Sequence, residues 1–182
     1  FPNRGRDIGP FLTGFGRDLV DHYDIIGHVH TKKSPHLSKR EISKNWFSFC
    51  IANTLGGVHS GNMMDRIIQK FSEDNNIGIV YPDDPRIPGW GPNYKFAKII
   101  ADKIGFSSLP TDFSFPVGNM FWMKASVLKS FVDLDLKWSD YPAEPLPTDG
   151  TILHGLERLF GALPHSQGLK TILTNTVGVG VN

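Results

Sequence analysis

An apolar, strand-like run from Tyr23 to Val29 ends abruptly in His30-Thr31-Lys32-Lys33-Ser34, a dense set of hydrogen-bonding and cationic groups. In open α/β sheets ligands collect beyond the carboxyl ends of strands. An imidazole, a hydroxyl and two ammonium groups at such an edge suit an anionic, oxygen-rich ligand. The same lysines would equally make an ordinary solvated loop. His28 and His30 share one face of the strand, because successive side chains alternate. No neighbouring Asp, Glu or Cys completes a ligand set, so no zinc site is expected.

Three further clusters carry groups of the right type for chemistry. In Asn3-Arg4-Gly5-Arg6-Asp7, two guanidiniums stand just before a predicted helix start, where free N–H groups attract anions. Arg4 and Arg6 suit a diphosphate or a carboxylate; the plain alternative is a turn in which Asp7 caps the helix and pairs with an arginine. In Gly118-Asn119-Met120-Phe121-Trp122, the amide of Asn119 can read sugar hydroxyls while Trp122 or Phe121 offers an apolar ring face, although core packing also accounts for the rings. In Thr148-Asp149-Gly150-Thr151, followed by His154, Glu157 and Arg158, a carboxylate in the first turn of a helix is stabilised by the dipole and stays ionised. That suits a general base, and Asp149 is the candidate. Its structural alternative is a supporting role in the cap, with Glu157 and Arg158 as surface charges or a buried pair.

The elements that must position these groups follow from apolar spacing. Asp7 is expected to open a helix whose Ile8, Phe11, Leu12, Phe15 and Leu19 share a face. A strand over 23–29 comes next. Ser38-Lys39-Arg40-Glu41 reads as a capping box before a helix with Ile42, Trp46, Phe49 and Leu55 inward, ended by Gly56 and Gly57. A helix from Ser60 carries Met63, Met64, Ile67, Ile68 and Phe71, and Ile77 to Tyr81 is a short buried strand. The stretch from Pro82 to Pro92, with Pro85, Pro88, Gly89 and Gly91, is a stiff loop. Its Trp90 is either a sugar platform or a plug in the core edge. A helix over 94–104, a strand over 119–123 running into a helix over 124–132, a helix capped by Thr148 and a strand over 169–173 complete the order. Strands alternating with helices predict an α/β fold with a mostly parallel sheet sandwiched by helices.

Composition bounds the function. The 182 residues, 40% hydrophobic, can build one domain with a sizeable core. A formal net charge of +1 carries no basic signature of nucleic-acid binding, so any anion site must be local. Cys50 is the sole cysteine, which excludes an intrachain disulfide, and its apolar setting predicts a buried small hydrophobe. No apolar run of about 18 residues and no signal-peptide pattern is present, so a soluble domain is expected. The start at Phe1-Pro2-Asn3 reads as part of something longer.

Taken in order, Asn3-Arg4-Gly5-Arg6-Asp7-Ile8, Tyr23-Asp24 leading to His30-Thr31-Lys32-Lys33-Ser34, Gly118-Asn119-Met120-Phe121-Trp122, and Asp149-Gly150-Thr151 leading to Glu157-Arg158-Leu159-Phe160-Gly161 resemble the rhamnan synthesis protein F family over nearly the whole chain. The resemblance implies glycosyl transfer in bacterial polysaccharide assembly and a fold like the second part of a GT-A glycosyltransferase domain, in a fragment of a longer transferase-like protein. It implies a nucleotide sugar such as dTDP-rhamnose as donor, a glycan acceptor, other polysaccharide-assembly enzymes as partners, and a cytoplasmic setting at the inner face of the membrane. His30-Thr31-Lys32 stands where such enzymes carry a metal-holding Asp-x-Asp, so no divalent metal or other cofactor is expected. The literal Asp133-Leu134-Asp135 follows a helix and is read as coincidence. Asp149 takes the place of the catalytic acidic residue that acts as base, Asn3, Arg4, Arg6, Asp7, His30, Thr31, Lys32 and Lys33 surround the phosphates, and Trp90, Asn119, Trp122 and Glu157 meet the sugars. A non-catalytic glycan-binding module of a multidomain synthase is the alternative. A nucleotidase is less consistent, for want of a Gly-rich phosphate loop.

Overall fold

The structure, a computed structural model, describes residues 1–31, 40–84 and 89–176, without the side chains of 40–43. The expectations for Lys32, Lys33, Ser34, Pro85, Pro88, the side chain of Ile42 and the capping box at Ser38 lie outside the described residues.

A π-helical turn, Pro10–Gly14, leads into helix α1, Gly16–His22, and strand β1, Ile25–His28. Helices α2 (Arg40–Thr54) and α3 (Met63–Glu73) precede β2 (Ile77–Pro82) and α4 (Tyr94–Lys103). Strand β3 (Phe121–Lys124) passes directly into α5 (Ala125–Val132), and α6 (Ile152–Ser166) leads to β4 (Lys170–Thr174).

The sheet runs in the order β1-β3-β2-β4. β3 is antiparallel to both neighbours, with His28 opposite Phe121 and Ile79 opposite Met123, whereas β2 and β4 are parallel. The expected mostly parallel sheet is therefore corrected to a mixed one in which two of the three pairings are antiparallel. Helix α4, about 15 Å long, takes the chain away from the end of β2, and residues 104–120 bring it back before β3 begins. The carboxyl ends of β1, β2 and β4 thus share one edge with the amino end of β3, and residues far apart in the chain meet there.

The sheet is covered on both faces. Ile79, Tyr81, Phe121 and Met123 pack with Phe11, Leu128, Phe131, Leu156 and Phe160, while Val80 and Ile77 join Ile67 and Phe71 of α3 on the other side. Every residue of β2 is buried, as expected for a strand with neighbours on both sides. In α6, Leu153, Leu156, Leu159, Phe160 and Leu163 recur at helical spacing and are all buried. Each such side chain contributes about 1.5–3 kcal/mol by leaving water.

Local details depart from expectation. Phe15 is 52% exposed, because the π-helical turn shifts the helical face before α1. Leu55, just beyond α2, is also exposed rather than inward. The last helix begins at Ile152 with Thr151 at its N-cap, not at Thr148. Gly150, at φ 82°, breaks the helical path, so Asp149 precedes the helix instead of occupying its first turn.

Candidate functional site

The turn before β3 organises the shared edge. Gly118 and Asn119 both have left-handed backbone, at φ 82° and 59°. The indole of Trp46 lies so close over Gly118 that a Cβ there would sit 2.2 Å from it. Trp46 is itself held by Asp84 beyond β2, its Nε1–H donating to Oδ2 at 2.8 Å. Turned in this way, the two carbonyls point at the end of β1: Gly118 O is 2.8 Å from His30 Nε2, and Asn119 O is 2.6 Å from His28 Nδ1. The Asn119 side chain donates from Nδ2 to Asp7 Oδ2 at 3.0 Å, and the same oxygen lies 3.6 Å from His30 Nε2. Asp7 thus ties the N-terminal cluster to Asn119 and His30 instead of capping a helix. Among the described residues Asn119 Oδ1 is buried without a partner, which is costly for an amide.

His28 is buried against Phe11, the ring centroids 4.3 Å apart. Burial pushes its pKa below the usual 6.5, and the neighbouring His30 adds to this, while Asp7 and the Asn119 carbonyl oppose it. The neutral ring with Nδ1–H donating to Asn119 O fits that environment.

On its other side the turn meets α6. Gly118 N–H donates to Glu157 Oε1 at 2.8 Å, and Glu157 Oε2 is 3.8 Å from Arg158 Nη1. Arg158, only 4% exposed, donates from Nε to Gly89 O at 2.7 Å and from Nη1 to His154 O at 3.0 Å. Its guanidinium lies over Phe115, 5.0 Å from the ring centroid, and Nη2 is 3.6 Å from Asp149 Oδ1. That oxygen also accepts from Asn93 Nδ2 at 2.7 Å, and Asn93 Oδ1 accepts the Gly150 N–H at 2.8 Å. The second oxygen of Asp149 has no partner among the described residues, and the side chain is 38% exposed. One carboxylate oxygen is clamped and the other is presented to solvent.

A continuous series of polar contacts therefore links Asp7, Asn119, His30, Glu157, Arg158, Asp149 and Asn93. Thr31, beside His30, is exposed. Asn3, Arg4 and Arg6 stand outside this series: Asn3 is exposed, Arg4 Nη1 donates to Tyr141 O at 3.1 Å, and Arg6 pairs with Glu144 at 3.4 Å. The two tryptophans do not present open faces here. Trp90 is buried, stacked on Phe113 at 4.1 Å and bonded through Nε1–H to Pro110 O. Trp122 turns to the opposite face of the sheet, over Gly27, and donates to Thr54 O at 2.9 Å. Asp133 ends α5 and pairs with Lys129 and Arg17. The sequence reading gave Asn93 no role and took Trp46 as an inward core residue, which it is; its packing over Gly118 needed the tertiary structure to be seen. Among the described residues no three His, Cys, Asp or Glu side chains converge as a metal-binding group.

Residues 1–169 match the family model of rhamnan synthesis protein F. The chain belongs to the rhamnan synthesis protein F family. Membership places it among proteins of polysaccharide synthesis. Two curated relatives, each described as uncharacterized protein WxcX, come from Xanthomonas campestris pv. campestris strains B100 and ATCC 33913. Each is 32% identical over 183 residues covering 98% of this chain. The chain spans about a quarter of the length of these relatives, 25% in both cases. No solved structure matches this member of the rhamnan synthesis protein F family. Among the described residues no helix is long and apolar enough to cross a membrane.

Proposed function

We propose that this domain takes part in glycosyl transfer during rhamnan-type polysaccharide synthesis, passing a sugar such as rhamnose from a nucleotide donor to a glycan acceptor. The observation that carries the reading is the half-clamped carboxylate of Asp149. Asn93 and Arg158 hold Oδ1 while Oδ2 stays open, an arrangement that suits removal of a proton from an attacking hydroxyl. In this reading Thr31, Lys32 and Lys33 supply hydrogen bonds and charge for the donor phosphates beside His30, and Arg4 and Arg6 join them only by leaving Tyr141 and Glu144. That arrangement would stabilise a leaving diphosphate without divalent metal. Asn119 and Glu157 set the floor of the site, and Asp7 orients Asn119 and His30.

Replacing Asp149 by asparagine in the full-length protein keeps the contact to Arg158 but removes the base. Transfer of labelled sugar from dTDP-rhamnose to glycan should fall by about 10²-fold or more, in keeping with the worth of a general base, with the melting temperature little changed. Unaltered turnover would remove Asp149 from the role.

A second reading, a non-catalytic glycan-binding module within a longer synthase, is favoured by the engagement of Arg4 and Arg6 with Tyr141 and Glu144. Calorimetry separates the two. Binding of oligosaccharide with no affinity for any nucleotide sugar supports the module and counts against transfer.

A further inference from the structure

A tryptophan buried in a core needs an acceptor for its indole N–H, and a backbone carbonyl serves. Trp90 uses Pro110 O at 2.7 Å and Trp122 uses Thr54 O at 2.9 Å. Trp46 differs. Its Nε1–H donates to a carboxylate oxygen of Asp84 at 2.8 Å, and both residues are only 5% exposed. A charged acceptor makes a bond roughly twice as strong as a neutral one. Burying a carboxylate is costly in itself, and an indole can be satisfied without one, so packing alone does not call for Asp84.

Asp84 is placed to hold a neighbour still. Its N–H is bonded to Pro82 O at 3.0 Å, and the N–H of Asp83 joins Thr174 O at 2.9 Å, so its backbone is fixed to the ends of β2 and β4. What the indole touches is the Gly118–Asn119 turn: the three atoms nearest to where a Cβ on Gly118 would lie all belong to Trp46. That turn presents Gly118 O to His30 Nε2, Asn119 O to His28 Nδ1, and the Gly118 N–H to Glu157. A sideways shift of the indole frees room beneath Gly118, and all three contacts depend on the turn staying where it is.

We infer that Asp84 is a positioning residue: acting through Trp46, its carboxylate locks the Gly118–Asn119 turn and thereby holds the His30 ring at the edge where the donor phosphates would bind. Its effect on donor binding rests on the transfer reading; its hold on His30 does not. The test uses the full-length protein as wild type, Asp84→Ala, Asp84→Asn and Trp46→Phe, with Asp74→Ala in the surface pair with Lys170 as control. Carbethoxylation by diethyl pyrocarbonate, followed by peptide mass spectrometry, reads how free the His30 ring is. His22, exposed on α1, is the internal reference.

Loosening the ring from Gly118 O should speed its modification about two- to tenfold, the range one hydrogen bond supports, in Asp84→Ala and Trp46→Phe. His22 should react as in wild type, and Asp74→Ala should change neither rate. Asp84→Asn keeps an acceptor for the indole and should lie nearer to wild type than Asp84→Ala. The double variant Asp84→Ala/Trp46→Phe should not exceed the larger single effect, because both changes act on one contact. Trp46→Phe keeps an aromatic ring in the core and carries the test should Asp84→Ala not fold. In transfer assays the same variants should raise the KM for dTDP-rhamnose several-fold with kcat nearly kept. Faster modification of His30 in a protein that transfers no sugar supports the positioning role and removes the transfer reading. Equal His30 rates in wild type, Asp84→Ala and Trp46→Phe would overturn the proposal, as would a rise at His22 as large as that at His30, which marks general loosening.

Discussion

The two edges of the sheet treat polar residues in opposite ways. At the edge where β2 and β4 begin, Lys170 pairs with Asp74 at 2.7 Å, Lys70 with Glu73 at 2.7 Å, and Lys124 reaches the Asn75 carbonyl. These groups lie at the surface, where water and salt screen them and the pairs contribute little. At the edge where β1 and β2 end, His28, Asn93, Asn119 and Arg158 are buried. Removing a charge from water costs several kcal/mol unless partners replace the lost hydration. The Arg158 contacts to Gly89, His154, Glu157 and Asp149 are that replacement. A sheet needs no buried guanidinium to form, so such an expense at one edge alone points to a site.

The largest expected effect breaks this contrast directly. Arg158→Ala strands Glu157 and Asp149 beside a void and should destabilise the fold by about 3–5 kcal/mol, read from chemical denaturation. Asp74→Ala at the opposite edge should leave the denaturation midpoint nearly unchanged, although Lys170 holds the Asp74 carboxyl below its ordinary range. Comparable losses from both would erase the distinction between the edges.

A smaller effect sharpens it by separating strain from crowding. Gly105, at φ 73°, has nothing within 4 Å of where a Cβ would lie, whereas Gly118, at φ 82°, lies under Trp46. Gly105→Ala should cost about 1 kcal/mol, the strain of left-handed backbone alone. Gly118→Ala should cost about 3 kcal/mol, because overpacking adds to it, and should also move the two carbonyls that face His28 and His30. Equal costs in denaturant titrations would mean that Trp46 gives way and does not set the turn.

The smallest effect is a pH dependence. Because burial lowers the His28 pKa below 6.5 in the folded protein, the unfolded chain binds the proton more readily. Stability should therefore be fully present above pH 6.5 and decline as pH falls from there through the folded value. His28→Gln should flatten that slope in denaturation curves recorded between pH 7.5 and about 5. An unchanged slope would mean that the ring is as free to protonate as in the unfolded chain.

Much of the edge could be read before any coordinates. The residues Asp7, His30, Asn119, Glu157 and Asp149 stand out because polar and charged types interrupt apolar runs at element ends, where packing alone does not call for them. Trp90 and Trp122 stand out for the same chemical reason, and here chemistry misleads. An indole on a loop or strand has the same letter whether it faces a ligand or, as Trp90 does, the ring of Phe113. Asp149 reads as a first-turn carboxylate because Thr148 is a good cap. Yet Gly150 takes a left-handed conformation and defers the helix to Ile152, a choice that depends on Asn93 gripping the Gly150 amide from another element.

Local periodicity determined the element order, the buried stripe of α6 and the enclosed β2, because side-chain spacing at 3.6 or 2 residues is a property of neighbouring positions. Tertiary structure alone decided the direction of β3, the pairing of Arg158 with two carboxylates, and the meeting of Asp7 with Asn119. The direction of β3 depends on how residues 104–120 return across the molecule, and a contact across 112 positions in sequence, as between Asn119 and Asp7, is set by the packing of the whole core. The letters of either residue do not encode it.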